Sequence, residues 1–211
     1  MKRYKFIAIE GNIGVGKTSL ATMLSKEYDA HLILEEFVDN PFLSNFYQEP
    51  QRYAFPTELH FLLDRYEQLE KLVRLGQLKD KLNITDYIFT KSLLFAKMNL
   101  EEEEYNLFAR TFRTIYQHLP QPELVVYIHS STDRLIDNIH QRGRSFEQKI
   151  AIDYLKRVEQ AYFDYFEQNT HLKVLFIKAD KLDFVNNKAH YQQILDWIGM
   201  EYEVGITEVV L

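Results

Sequence analysis

The sequence predicts an α/β fold, a five-stranded parallel sheet flanked by helices, and three observations predict it. Short apolar runs near 4–9, 31–34, 82–86, 123–129 and 173–178 alternate with long stretches of helical periodicity, the pattern of a parallel sheet covered by helices. A chain of 211 residues, 46% of them hydrophobic, suits one compact domain, here 1–211, better than two independently folding halves. The first apolar run also passes through a glycine-rich turn directly into a helical stretch.

Along the chain, Phe6-Ile7-Ala8-Ile9 is a buried strand, too short for a signal peptide or a membrane span and without a cleavage-like site after it. Helices are expected near 16–27, 51–75, 87–99, 101–118, 131–141, 147–169 and 185–198. The densest charge run, Glu101 to Glu104, opens a helix, where negative charge suits the macrodipole. No repeat, Ser/Gly linker or low-complexity tract interrupts the pattern. Asn83-Ile84-Thr85 matches a glycosylation acceptor, but it lies in an apolar strand.

A formal net charge of -6 and a pI near 5.7 disfavour nucleic acid or an anionic membrane as the main partner, because either requires a broad basic face. Without cysteine there is no disulfide scaffold, thiolate nucleophile or cysteine-bound zinc, and the cytoplasm is the expected compartment. The seven histidines have no His-x-x-x-His spacing, so zinc chemistry has little support.

Gly11-Asn12-Ile13-Gly14-Val15-Gly16-Lys17-Thr18, followed by Ser19, fits the Walker A pattern. The glycines let backbone N–H groups turn inward around phosphate oxygens, and the helix N-terminus adds positive potential. Lys17 would bridge the β- and γ-phosphates, and Thr18 offers a Mg²⁺ ligand. A guanine-reading Asn-Lys-x-Asp is missing: Asn187-Lys188-Ala189-His190 lacks the carboxylate.

Three further segments suggest phosphoryl transfer to a small acceptor. Leu34-Glu35-Glu36-Phe37 ends the second strand, where a carboxylate can orient or deprotonate a hydroxyl, or else cap a helix. Arg142-Gly143-Arg144-Ser145-Phe146-Glu147 lies between two helices and could swing over a triphosphate as a lid spanning about 141–149, with Arg134 in support; a surface arginine pair is the ordinary alternative. Thr85-Asp86-Tyr87 ends the third strand, where Asp86 can hold Mg²⁺ or cap the next helix.

With these residues in place, the chain resembles the deoxynucleoside kinase family over nearly its full length. The resemblance rests on the Walker A segment, Glu35 with Asn40-Pro41-Phe42-Leu43, Phe46-Tyr47, Pro50-x-x-Tyr53-Ala54-Phe55, the Arg-Gly-Arg lid, and Asp180-x-x-Asp183-Phe184 after the last strand. It implies a P-loop kinase fold with a short Arg-rich lid, and transfer of the ATP γ-phosphate to the 5′-hydroxyl of a deoxynucleoside with Mg²⁺. Glu35 would be the base, with Glu36 the alternative one register away. Tyr47 and Glu147 would hold the 3′-hydroxyl, Arg142 and Arg144 would be the lid arginines, Phe95 would wall the base pocket, and Asp180, Asp183 and Phe184 would pack on the donor's adenine. Relatives are commonly homodimers, and the aromatic stretches 105–116 and 154–166 could supply such a face or simply extend the core.

Two departures stand out. The family usually has an acidic residue, Arg and Ser after strand three, where this chain has Thr85, Asp86 and Tyr87; the lid arginines are expected to supply the missing positive charge. Where many relatives read the base with Gln, this chain has Glu58, and an ionised Glu only accepts hydrogen bonds, which points to a purine such as guanine. Arg65 and Lys91 could donate to a base carbonyl or pair with Glu58. Two other readings stay open at this point: a nucleoside monophosphate kinase, which would need more basic residues at the acceptor, and a regulatory protein that binds ATP without transferring phosphate.

Overall fold

The computed structural model describes residues 4–35, 40–78, 81–144, 146–148 and 150–211. Among these, the sheet has six parallel strands in the order β2-β3-β1-β4-β5-β6, not the expected five. They are β1 (Phe6–Gly11), β2 (His31–Ile33), β3 (Asn83–Thr85), β4 (Leu124–His129), β5 (Lys173–Lys178) and β6 (Gly205–Val210). The extra strand, β6, is an edge strand whose residues alternate between half-buried and exposed. It therefore lacks the continuous apolar run that marks a strand covered on both faces.

The helices are α1 (Lys17–Glu27), α2 (Leu43–Phe46), α3 (Pro50–Arg74), α4 (Lys91–Asn99), α5 (Glu102–Tyr116), α6 (Thr132–Arg142), α7 (Ile152–Gln168) and α8 (Lys188–Ile198). The single turn of α2 is too short to show periodicity. The α4 helix starts four residues later than the sequence pattern implied, because the Glu10 carboxylate, buried in β1, accepts from the Ile88 N–H at 2.8 Å and holds this segment as a loop. Residues 146–148 form a turn ahead of α7, which starts at Ile152.

Side chains alternate across the pleat, and that alternation sorts the core. Ile7, Ile9, Leu124, Val126, Ile128, Leu175 and Ile177 face one side and pack with residues of α1, α6 and α8. Ala8, Val125, Tyr127, Val174 and Phe176 face the other, against Leu94 of α4 and Val158, Tyr162 and Phe166 of α7. A third cluster joins α3, α4 and α5 around Leu62, Phe108 and Phe112. The aromatic rings of 105–116 and 154–166 largely pack into these cores. No helix among the described residues is long and apolar enough to cross a membrane.

This order sets β1 between β3 and β4, so the chain reverses its direction of travel across the sheet at β1. The loops after β1, β2, β3, β4 and β5 all leave from the same edge, and a crevice opens there.

Candidate functional site

A cavity of about 670 Å³ occupies that crevice and is lined from every side by residues singled out above. Ile13, Gly14, Val15, Gly16, Lys17, Thr18 and Ser19 line its donor side. Gly14 sits at φ +85, and a Cβ there would lie 2.8 Å from the Leu135 carbonyl, so the tight turn requires glycine. Asn138 on α6 donates to the Gly14 carbonyl at 2.9 Å. Gly11 and Asn12 contribute from beneath: their carbonyls accept from Lys17 Nζ at 2.9 and 3.0 Å, while the Asn12 side chain reaches to the Leu155 carbonyl at 2.8 Å. Burial, with help from the nearby Lys91 charge, lowers the Lys17 ammonium to about 8. An anion laid in this cradle would reverse that shift.

After β5, Asp183 and Phe184 line the cavity, and the Phe184 ring stands 3.1 Å from the place of a Cβ on Gly16. Asp180 does not line it. Its carboxylate accepts from Ser130 Oγ at 3.1 Å and Ser131 N–H at 2.7 Å ahead of α6, an anion at a helix start, so its expected place on the donor base is corrected. Arg134 is likewise not spent on the lid. Its guanidinium donates to the carbonyls of Ala179, Asp180 and Leu182 and pins the loop that carries Asp183 and Phe184.

At the end of β3, Thr18 Oγ1 donates to Asp86 Oδ2 at 2.5 Å, and Asp86 Oδ1 accepts from the Glu35 N–H at 2.8 Å. A hydroxyl and one carboxylate side by side, both hard oxygen donors beside a phosphate cradle, fit Mg²⁺, which keeps most of its shell for water and phosphate. The bond to Glu35 N–H also fixes the register at which the chain leaves β2. Glu36 and the rest of 36–39 lie outside the described residues, as do Ser145 and residue 149 of the lid.

Glu35 enters the cavity as a partly buried carboxylate held by two cations. Arg65 of α3 donates to Oε1 through Nε at 2.9 Å and through Nη2, and Lys91 at the start of α4 donates to Oε2 at 2.8 Å. Burial would push this carboxyl up, but Lys91 and Arg65 outweigh it and hold it well below the usual carboxylate range. Two expectations are corrected here. Arg65 and Lys91 pair with Glu35 rather than with Glu58, and it is they, not the lid arginines, that supply positive charge at Glu35. The reason is distance along the fold: Arg142 and Arg144 (3.2 Å) both pair with Glu147, which is itself buried.

Glu58, about two helical turns before Arg65 on α3, also lines the cavity. Asn99 at the end of α4 donates from Nδ2 to its Oε1 at 2.7 Å. Burial raises the Glu58 carboxyl to about 7, the Asn99 bond offsetting only part of it. The expectation of a purely ionised acceptor is therefore corrected: near neutrality Glu58 populates both forms. Tyr47 packs against Phe146 at 6.3 Å and Tyr154 at 6.3 Å between this pocket and the lid turn, and burial keeps it a neutral phenol. Phe95 lines the same wall, with Lys91 Nζ 5.6 Å from its ring centre. Sequence reading missed Asn99, Tyr154, Ser92 and Thr57. Only their positions on α3, α4 and α7 bring them here, and no spacing in the chain signals that.

A P-loop at the switch point of a parallel sheet, facing a partly buried carboxylate across one cavity, defines a P-loop phosphotransferase. The chain belongs to the deoxynucleoside kinase family, which it matches over residues 7–201. It is 37% identical over 198 residues to the deoxyguanosine kinase of Bacillus subtilis, covering 92% of this chain and 96% of that one. It is 29% identical over 199 residues to the deoxyadenosine kinase of Dictyostelium discoideum, covering 93% and 79%. The fold is that of the deoxyadenosine kinase of M. mycoides solved with bound dATP, with a TM-score of 0.78 at 24% identity, covering 92% and 100% of the two chains. The protein is thus a deoxynucleoside kinase, an ATP-dependent phosphotransferase.

Proposed function

We propose that this kinase is a single domain that moves the ATP γ-phosphate in line onto the 5′-hydroxyl of a purine deoxynucleoside, deoxyguanosine foremost. The observation that carries the reading is that Lys17 and Glu35 face one cavity, a cradle for polyphosphate on one side and a partly buried acid on the other. Ile13 to Ser19, with Gly11 and Asn12 behind them, take the phosphates, and Phe184 and Asp183 flank the adenine. Thr18 and Asp86 would hold Mg²⁺, which when bound neutralises charge on the donor's phosphates.

Glu35, aimed by Arg65 and Lys91, accepts a hydrogen bond from the 5′-hydroxyl and takes its proton as transfer proceeds. Catalysis here is mostly orientation and charge, because a carboxylate held so far below its usual range is a weak base. Tyr47 and Glu147 hold the sugar's 3′-hydroxyl, and Phe95 flanks the base. Arg142 and Arg144, on the lid of about 141–149, exchange their hold on Glu147 for the transferred phosphate.

Base choice falls to Glu58. Ionised, it accepts from the adjacent N1–H and 2-amino groups of guanine; protonated, it offers a donor and an acceptor, which suit adenine. Deoxyguanosine is also what the Bacillus subtilis relative is named for. The monophosphate-kinase reading loses ground because Arg65 and Lys91, the basic residues on the acceptor side, are engaged by Glu35. A cytoplasmic homodimer completes the proposal; gel filtration with light scattering tests the assembly state. Turnover of the four natural deoxynucleosides with ATP·Mg²⁺ tests the substrate, with deoxyguanosine and deoxyadenosine expected in front. Thymidine as clear favourite would sink the purine reading.

A further inference from the structure

The two cations on Glu35 are held differently. Arg65 is fixed on every side: Nη1 donates to Ser92 Oγ at 2.6 Å, Nε and Nη2 hold Glu35, and the guanidinium lies 5.3 Å from the Phe61 ring centre and 5.8 Å from that of Tyr87. Lys91 has the Glu35 bond and the Phe95 ring, and its charge acts directly on Lys17 across the cavity. It is buried, and it lines the same cavity as Glu35 and the phosphate cradle.

One guanidinium, with two N–H groups on Oε1, already balances one carboxylate. A second ammonium on the same group leaves surplus positive charge in a buried site, which is costly unless another anion comes to meet it. Around this point Lys17, Arg65 and Lys91 act on the carboxylates of Glu35, Asp86 and Glu10, the last already taken up by the Gly11 and Ile88 N–H groups and the Tyr162 hydroxyl, and on Glu58 when it is ionised. The anion this arrangement suits is one delivered by the donor.

We propose that Lys91 is a catalytic residue whose ammonium spans Glu35 and the transferred phosphoryl group, while Arg65 serves as the fixed support that aims Glu35. This rests on the donor and acceptor placement given under the proposed function. In the step, the 5′-oxygen bonds to the γ-phosphorus as the bond to the β,γ-bridging oxygen breaks. ADP departs with that electron pair, and the hydroxyl proton passes to Glu35. Lys91 forms no covalent bond. It stabilises the phosphoryl oxygens while keeping Glu35 in line, so acceptor and phosphoryl group are gripped by one cation.

The test compares Lys91→Met and Lys91→Arg with the parent chain, using steady-state kinetics on deoxyguanosine and calorimetric titration with ADP and with a non-hydrolysable ATP analogue. Lys91→Met should lose about a hundredfold in kcat, the scale for removing one preorganised donor to a reacting oxygen. The deoxynucleoside KM should move by less than about threefold, because the lost contact belongs to the transferred group rather than to ground-state acceptor binding. Affinity for the ATP analogue should fall while affinity for ADP holds, and Lys91→Arg should recover part of both losses. An unchanged kcat, an equal loss of both nucleotides, or no recovery by arginine would overturn the assignment. Should Lys91→Met fail to fold, the arginine variant still decides: retained preference for the triphosphate analogue over ADP upholds it, and loss of that preference overturns it. A parent chain that phosphorylates no deoxynucleoside would instead defeat the proposed function, and the contrast between ADP and the analogue would still report on Lys91.

Discussion

Glu35 and Glu58 are the same residue type, Glu58 buried and Glu35 partly so, both lining one cavity, and their carboxyl groups are driven in opposite directions. Glu35 meets a guanidinium and an ammonium and stays ionised far below the usual range. Glu58 meets a neutral amide and is raised to about 7. Burial alone pushes any carboxyl up, and Arg65 and Lys91 act on both acids; what differs is that they hydrogen-bond Glu35 directly, while Glu58 has the Asn99 amide. The pair shows how one pocket holds two acids in different states, one charged at rest, the other able to change its hydrogen-bonding character near neutrality.

The largest effect should come from Glu35→Gln, which keeps the shape and removes the charge. Its kcat on deoxyguanosine is expected to drop by about 10²–10⁴-fold with the fold intact by circular dichroism, the range for a positioned acid or base. Next comes Arg65→Leu, which leaves Glu35 with half its partners. Breaking a buried ion pair costs about 3–5 kcal/mol, read from urea unfolding, and turnover should fall with it.

Glu58→Gln should act on selectivity rather than rate. In the parent, Glu58 keeps its proton below about pH 7 and loses it above. The deoxyguanosine to deoxyadenosine turnover ratio should therefore rise as pH climbs through that value. In Glu58→Gln the ratio should be flat with pH and about tenfold lower at high pH, one charge-assisted hydrogen bond being lost. Stability moves the other way: the folded chain retains a proton that the unfolded chain releases, so the stability tied to Glu58 falls as pH rises from the ordinary carboxyl range to about pH 7 and is level above it.

The smallest effect is assigned to Asn99→Ala. Removing the amide that helps the ionised form should move the inflection of that ratio upward by less than about one pH unit. A downward move would mean that Asn99 is not what steadies the Glu58 carboxylate.

Much of the donor side was legible beforehand. A phosphate cradle is built from contiguous backbone, so the glycines, Lys17 and Thr18 announce it through local sequence alone, and a parallel strand buried on both faces announces itself as an apolar run. The sixth strand escaped because an edge strand is only half covered, and α2 because one turn has no period. On the acceptor side the candidate residues were named, yet their partners were misassigned. The sequence leaves Arg65 and Lys91 to a base carbonyl or to Glu58, Arg134 to the lid and Asp180 to the donor base, whereas the fold gives them Glu35, the carbonyls of Ala179, Asp180 and Leu182, and Ser130 with Ser131.

By itself, then, the sequence determined the parallel α/β layering, the cradle and the presence of an acid facing it, because each is written in residues adjacent in the chain. Which cation meets which carboxylate, and so which acid is charged, was decided by α3 and α4 packing side by side and carrying Arg65, Lys91 and Asn99 into one cavity. Coulomb energy and desolvation depend on separations of a few ångströms and on exclusion of water, and those come into being only when distant segments pack.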